Sequence, residues 1–135
     1  MTLENLVKIH QLNQEPPDKK ELEGLLMAAK ERLTDSQNKD LSFSSRFDLA
    51  YSAAHGFSLG ALRAKGYRSD KRYLVFQCLN YTSAIDKVQQ RIFSICHERR
   101  NLAEYEGHYE VDENLLSELI KSTKLLMAFT DNIRL

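Results

Sequence analysis

Phe43-Ser44-Ser45-Arg46-Phe47-Asp48-Leu49-Ala50-Tyr51-Ser52-Ala53-Ala54-His55-Gly56-Phe57-Ser58-Leu59-Gly60-Ala61-Leu62-Arg63-Ala64-Lys65-Gly66 is the stretch on which the fold turns. Phe43, Phe47, Ala50, Ala54, Phe57 and Ala61 recur at steps of four and three, which draws one continuous apolar stripe along a helix of about Ser44 to Lys65. Alanines between phenylalanines let another helix come close, so this helix belongs at the centre of a bundle. Gly66 ends it, and Tyr67-Arg68-Ser69 turns the chain. Beside the stripe runs a polar row of Asp48, Ser52 (or Tyr51) and His55, with Asp48 and His55 about 10 Å apart along the axis.

Working outward toward the N-terminus, Asp35 to Asp40 is a polar loop. Before it, Leu22, Leu25, Leu26, Ala29 and Leu33 form one helical face, opened by Asp18 as N-cap with Glu21 completing a capping box. Pro16-Pro17 closes a weaker first helix over roughly Leu3 to Asn13, because proline has no N–H with which to continue one. In the other direction, Ser69 is an N-cap candidate for a helix over Asp70 to about Asn80. Thr82-Ser83 opens the next, about Ala84 to Tyr105, with a stripe of Ile85, Val88, Ile92, Ile95, Arg99 and Leu102. Arg99 interrupts that stripe, so it must snorkel, pair with a carboxylate or face a subunit boundary. Gly107 supplies the stop. Asp112 caps a last helix whose core face is Leu115, Leu116, Leu119, Ile120, Leu126, Met127 and Ile133. The reading is an all-α protein: one domain over residues 1–135, an antiparallel bundle of four to five main helices with a short N-terminal helical arm over about residues 1–15.

Lysine plus arginine balance aspartate plus glutamate at 19 each, so no global field draws the chain to nucleic acid or an anionic membrane. The distribution is uneven. Arg63 to Arg100 holds nine basic and three acidic residues, whereas Asn101 to Ile120 holds six acidic residues and no lysine or arginine. That split reads as two solvated helix faces, as a basic patch for phosphate, or as a surface complementary to a copy or partner. Cys78 and Cys96 form no metal-ligand spacing and sit among apolar neighbours, as buried reduced thiols do. With no apolar run of about 18 residues and no signal-peptide pattern, the expectation is a cytoplasmic protein without a membrane span. Gly-rich phosphate loops, HExxH, nucleophile elbows and metal signatures are missing from the sequence, and neither a metal nor a cofactor is expected.

The side chains able to do chemistry are Arg100, Asn101, His97, His55, Asp48, Tyr105 and His108. The fork of Arg100 suits phosphate oxygens, and its plain alternative is a surface salt bridge to Glu104 at i+4. His97 and His55 titrate near neutrality and suit general acid–base work, or are simply hydrogen-bonded structural residues. Asp48 with His55 is either a functional pair or the wet face of a bundle helix. Asn101 is otherwise an exposed polar residue, and Tyr105 a packing residue with a wet hydroxyl.

Two segments resemble the HEPN superfamily, helical bundles of prokaryotic toxins, defence proteins and partners of minimal nucleotidyltransferases. One is Ser45 to His55, running on through Leu62-Arg63-Ala64-Lys65-Gly66-Tyr67-Arg68-Ser69, similar to that family's small-residue helix and glycine turn. The other is Arg100-Asn101-Leu102-Ala103-Glu104-Tyr105, which resembles the family's arginine and polar residue followed, four to six residues on, by histidine. Tyr105, Glu106 and Gly107 occupy the three places where that histidine would fall, and His108 lies one residue beyond. The resemblance implies a homodimer and, in active members, metal-independent ribonuclease chemistry, with Arg100 on the scissile phosphate and a histidine moving the 2′-hydroxyl proton. It also implies a nucleotidyltransferase or antitoxin partner.

Two functions follow. In the first, a dimeric module binds RNA, a nucleotide or a partner protein through Arg100 and Asn101 without cutting. In the second, a ribonuclease uses Arg100 with a displaced histidine. A weaker third is an adaptor whose polar row sets dimer register. The first two place Arg100 and Asn101 at or beside a two-fold interface, with Asp48 and His55 lining the same cleft.

Overall fold

The computed structural model describes residues 2–107 and 112–135. The expected central helix is α3, Phe43–Ala64, and Phe47, Ala50, Ala54, Phe57 and Ala61 are all buried. Ser42 starts it by accepting the Ser45 N–H at 3.2 Å. Just past its end, Gly66 takes a φ of +93°, a left-handed conformation that glycine adopts without cost to a side chain.

Helix α2, Lys19–Ser36, lies antiparallel on α3: Arg46 Nε donates to the Ser36 carbonyl, Gly56 faces Ala29, and Arg63 meets Glu21. Asp18 accepts the Glu21 N–H at 3.1 Å, as a cap should. The capping box stays half made, because the Glu21 carboxylate binds Arg63 and Arg68 instead. The close approach comes from glycine as much as from alanine: a Cβ on Gly56 would stand 3.0 Å from that of Ala29.

Helix α7, Glu113–Asp131, runs parallel to α3, with Arg46 near Glu113 at one end and Ala61 and Ala64 near Phe129 at the other. Asp112 caps it as expected, accepting the Leu115 N–H at 2.8 Å. Leu116, Leu119 and Leu126 are buried, Leu115, Ile120 and Met127 pack at the margin of the same core, and Ile133 lies beyond the helix. The fourth long helix, α6, is Lys87–Glu106 and closes on Gly107 at φ +80°. The chain is therefore an all-α bundle; among the described residues the one extended pairing is β1, Asn13–Gln14, antiparallel to β2, Tyr67–Arg68. No described helix is long and apolar enough to cross a membrane.

Five further local expectations need correction. The first helix, α1, is Leu3–Lys8 and stops short of Asn13. His10 turns the chain with a φ of +61°, which drops Leu12 into a second apolar cluster with Leu3, Leu6, Leu62, Tyr67, Val75 and Cys78. Tertiary burial outweighs the local helical pattern there. The helix expected over residues 70–80 is broken at Cys78 into α4, Arg72–Gln77, and α5, Leu79–Thr82. The break sends Val75 and Cys78 into one cluster and Phe76 and Leu79 into the other. Ser69 does not cap α4; its hydroxyl accepts the Lys71 N–H in a tight turn.

Thr82 and Ser83 do not open α6, since their hydroxyls bond back to the carbonyls of Cys78 and Leu79, and Asp86 caps it at 3.0 Å. The buried face of α6 is also turned by one residue. Phe93, Cys96 and Ala103 point inward, with Phe93 stacked 5.7 Å from Phe76. That rotation leaves Ile92, Ile95, Arg99 and Leu102 half-exposed and Val88 69 % exposed.

Candidate functional site

The inward turn of α6 sets His97 against α3. Tyr51, fully buried in the core stripe's neighbourhood, brings its hydroxyl 2.8 Å from His97 Nδ1. On the far side of the imidazole, Asn101 Nδ2 lies 3.1 Å from Nε2, one helical turn along. With the amide so oriented, Asn101 donates to Nε2, and a neutral His97 carries its proton on Nδ1 and donates it to Tyr51 Oη. Burial lowers the His97 pKa, and the charges of Arg100 and Arg72 lower it further. Burial raises that of Tyr51, against the hydrogen bond from Arg72. Near neutrality both rings are therefore uncharged.

Two guanidinium groups bracket this pair. Arg100 lies 5.1 Å from the centroid of the Tyr51 ring and Arg72, the first residue of α4, 5.6 Å from it. These are cation–π distances. Arg100 also makes the i+4 salt bridge to Glu104 at 2.7 Å, so the plainer of its two expected roles is realised. Arg72 has no carboxylate partner among the described residues; its polar contact is the Tyr51 hydroxyl. The side chain of Tyr73, 47 % exposed, covers His97 at a centroid distance of 5.6 Å.

His55 sits one turn beyond Tyr51 on α3, edge-on to Phe76 at 6.0 Å. Its Nε2 is buried without a hydrogen-bond partner. Burial first, then Arg72 and His97, bring its pKa down to about 4. Among the sequence candidates, the structure thus joins Arg100, Asn101 and His97 directly, and His55 through the shared influence of Arg72. Asp48 lies two turns before His55 and is not among the charges that act on it. Tyr105 projects into solvent, 88 % exposed, outside the cluster. His108 falls outside the described residues.

No family model, curated protein or solved structure matched the chain. What the cluster can do is therefore read from its chemistry. It carries two permanent positive charges against one carboxylate, with polar groups between them and an exposed aromatic ring beside them. Among the described residues no three His, Cys, Asp or Glu side chains converge as a metal site would require. Cys96 and Cys78 are buried, and burial pushes their thiols up to about 12 and about 11, out of reach of nucleophilic work at neutral pH.

Sequence reasoning missed Arg72 and gave Tyr51 only a secondary place. A signal was present in Lys71-Arg72-Tyr73, where cations adjoin an aromatic residue, a pairing common on nucleic-acid-binding surfaces.

Proposed function

We propose that the chain is an HEPN-like module that binds single-stranded RNA at the cluster around Tyr51 and His97, as a homodimer. The observation that carries this reading is the pair of guanidinium groups, Arg72 and Arg100, held against one buried tyrosine ring beside His97 and Asn101. Guanidinium forks match phosphate oxygens, and Tyr73 offers a face on which a base stacks. An incoming phosphate competes with Glu104 for Arg100, an exchange eased by the exposure of Glu104 and the modest worth of an i+4 pair. The dimer is supported by α6 itself, which carries Arg100 and Asn101 together with an exposed Val88 and the half-exposed Ile95 and Leu102. A nucleotidyltransferase or antitoxin partner rests on the resemblance alone.

The test is fluorescence anisotropy with a short labelled single-stranded RNA over a range of salt, with sedimentation of the same sample for its mass. Each phosphate contact adds about 0.7 to the steepness of log K against log salt. Arg72→Ala and Arg100→Ala should each flatten that slope by about one such step and weaken binding about tenfold. Unchanged affinity in both variants rejects the site, and a monomer at the concentrations that bind RNA rejects the dimer.

The cleaving alternative is favoured by one observation: burial holds the His97 pKa below its ordinary value, so its imidazole is neutral near pH 7 and has the form of a base. RNA cleavage that persists in a chelator and disappears in Arg100→Ala and His97→Ala would establish it over binding alone.

A further inference from the structure

The geometry points to a second ligand site, a groove of about 510 Å³ between α2 and α3 that takes a phosphomonoester of nucleotide size. It shares Arg72 with the RNA-binding cluster but stands without it. One face of α2 contributes Lys20, Gly24, Leu25, Ala28 and Arg32; α3 contributes Ser52, His55 and Leu59, and Arg72 closes one side.

Three features make this a place for an anion with an organic body. Lys20, Arg32 and Arg72 have no ion-pair partner among the described residues. The one carboxylate lining the groove, Glu21, is engaged at both oxygens, by Arg63 at 2.6 Å and Arg68 at 2.6 Å, and the hydrogen bond from Arg63 holds its pKa below the ordinary value. Finally, His55 lines the same wall, and its Nε2, enclosed by protein, has no hydrogen-bond partner, so a turn of the ring toward a bound anion would cost no existing bond at that atom. Other grooves carry cations too, at Lys87 and Arg91 or at Lys121 and Lys124, but neither holds a buried polar atom left unpaired.

The arrangement is polar at one end. Gly56 faces Ala29, which sets Ser52 and His55 beside Arg32 and leaves Leu59 near Leu25. Lys20 lies about 18 Å from Arg32 along α2, too far to share one phosphate with it. The phosphate therefore belongs at the end formed by Ser52, Arg32 and Arg72, with His55 beside it. The body of the ligand lies along Leu25 and Leu59 over Gly24, where a Cβ would meet nothing within 4 Å. The volume is within the range of small-molecule sites.

Calorimetric titration of the full chain with 5′-AMP, 5′-UMP, adenosine and inorganic phosphate tests this. Both nucleotides should bind saturably and more tightly than inorganic phosphate, and adenosine should not bind. Arg32→Ala should weaken nucleotide binding about tenfold, the loss of one charge-assisted contact. A Cβ at Gly24 meets no protein atom within 4 Å, so Gly24→Leu should extend into the trough, block nucleotides and spare inorganic phosphate, with thermal melts confirming that each variant is folded. Arg100→Ala, which weakens RNA binding at the neighbouring cluster, should leave nucleotide affinity unchanged. Absence of saturable heat, adenosine binding as tightly as AMP, or indifference to both Arg32→Ala and Gly24→Leu would overturn the proposal.

Discussion

Arg63 and Arg72 stand nine residues apart and do opposite things. The Arg63 guanidinium is 2 % exposed; it donates to Glu21 at 2.6 Å and to the carbonyls of Glu15, Pro16 and Tyr67, and pairs with the Glu15 carboxylate at 3.2 Å. It ties the Pro16-Pro17 linker, the short β1–β2 pairing and the two most closely packed helices into one knot. Arg72 is exposed, faces an aromatic ring, and has one hydroxyl for company. The number of acceptors around a guanidinium, rather than the presence of arginine, separates a structural tie from a group still able to receive an anion.

The largest effect that would break this contrast concerns Arg63. Arg63→Met takes from Glu21 one of its two arginine partners and from three carbonyls their guanidinium donor, and should cost about 3–5 kcal/mol in urea unfolding, as loss of one partner in a buried charged network does. Arg72→Ala should change stability by no more than about 0.5 kcal/mol in the same assay. Equal losses would show that both arginines are structural.

Acid separates the two regions next. The unfolded imidazole of His55 takes up a proton near pH 6.5 and the folded one only near 4, so the unfolded state binds more protons between those values. The contribution of a neutral His55 is full above pH 6.5 and is lost as the pH falls toward 4, by at most about 3 kcal/mol. Glu21, also depressed, adds stability that persists until the pH drops below the ordinary carboxylate value of 4.5. The site region should therefore weaken first. Stability measured from pH 7 to 5 should slope downward in the native protein and less steeply in His55→Gln, where His97, also depressed, keeps a part of the slope; an equal slope in both would remove His55 from the account.

The long apolar stripes were readable because they are local. Phe47, Ala50, Ala54 and Phe57 follow helical spacing so regularly that burial, centrality and the Gly66 stop all follow from it. The caps at Asp18 and Asp112 were readable for the same reason. What escaped was set by distant partners. Glu21 forgoes its own cap for arginines more than forty residues away. Leu12 leaves a helix pattern to reach a second cluster, and α6 rotates to stack Phe93 on Phe76. At the site, Arg100 and its Glu104 bridge are one turn apart and were visible. The Tyr51–His97 bond joins residues 46 apart, and no spacing rule anticipates it.

The most direct measurement follows the arginine Nε–Hε resonances by NMR as single-stranded RNA is added. Arg72 and Arg100 should shift progressively to saturation while Arg63 stays in place. Signals of Arg72 and Arg100 that do not move, or an Arg63 signal that moves as far as theirs, would contradict an anion-receptive cluster beside a closed structural one.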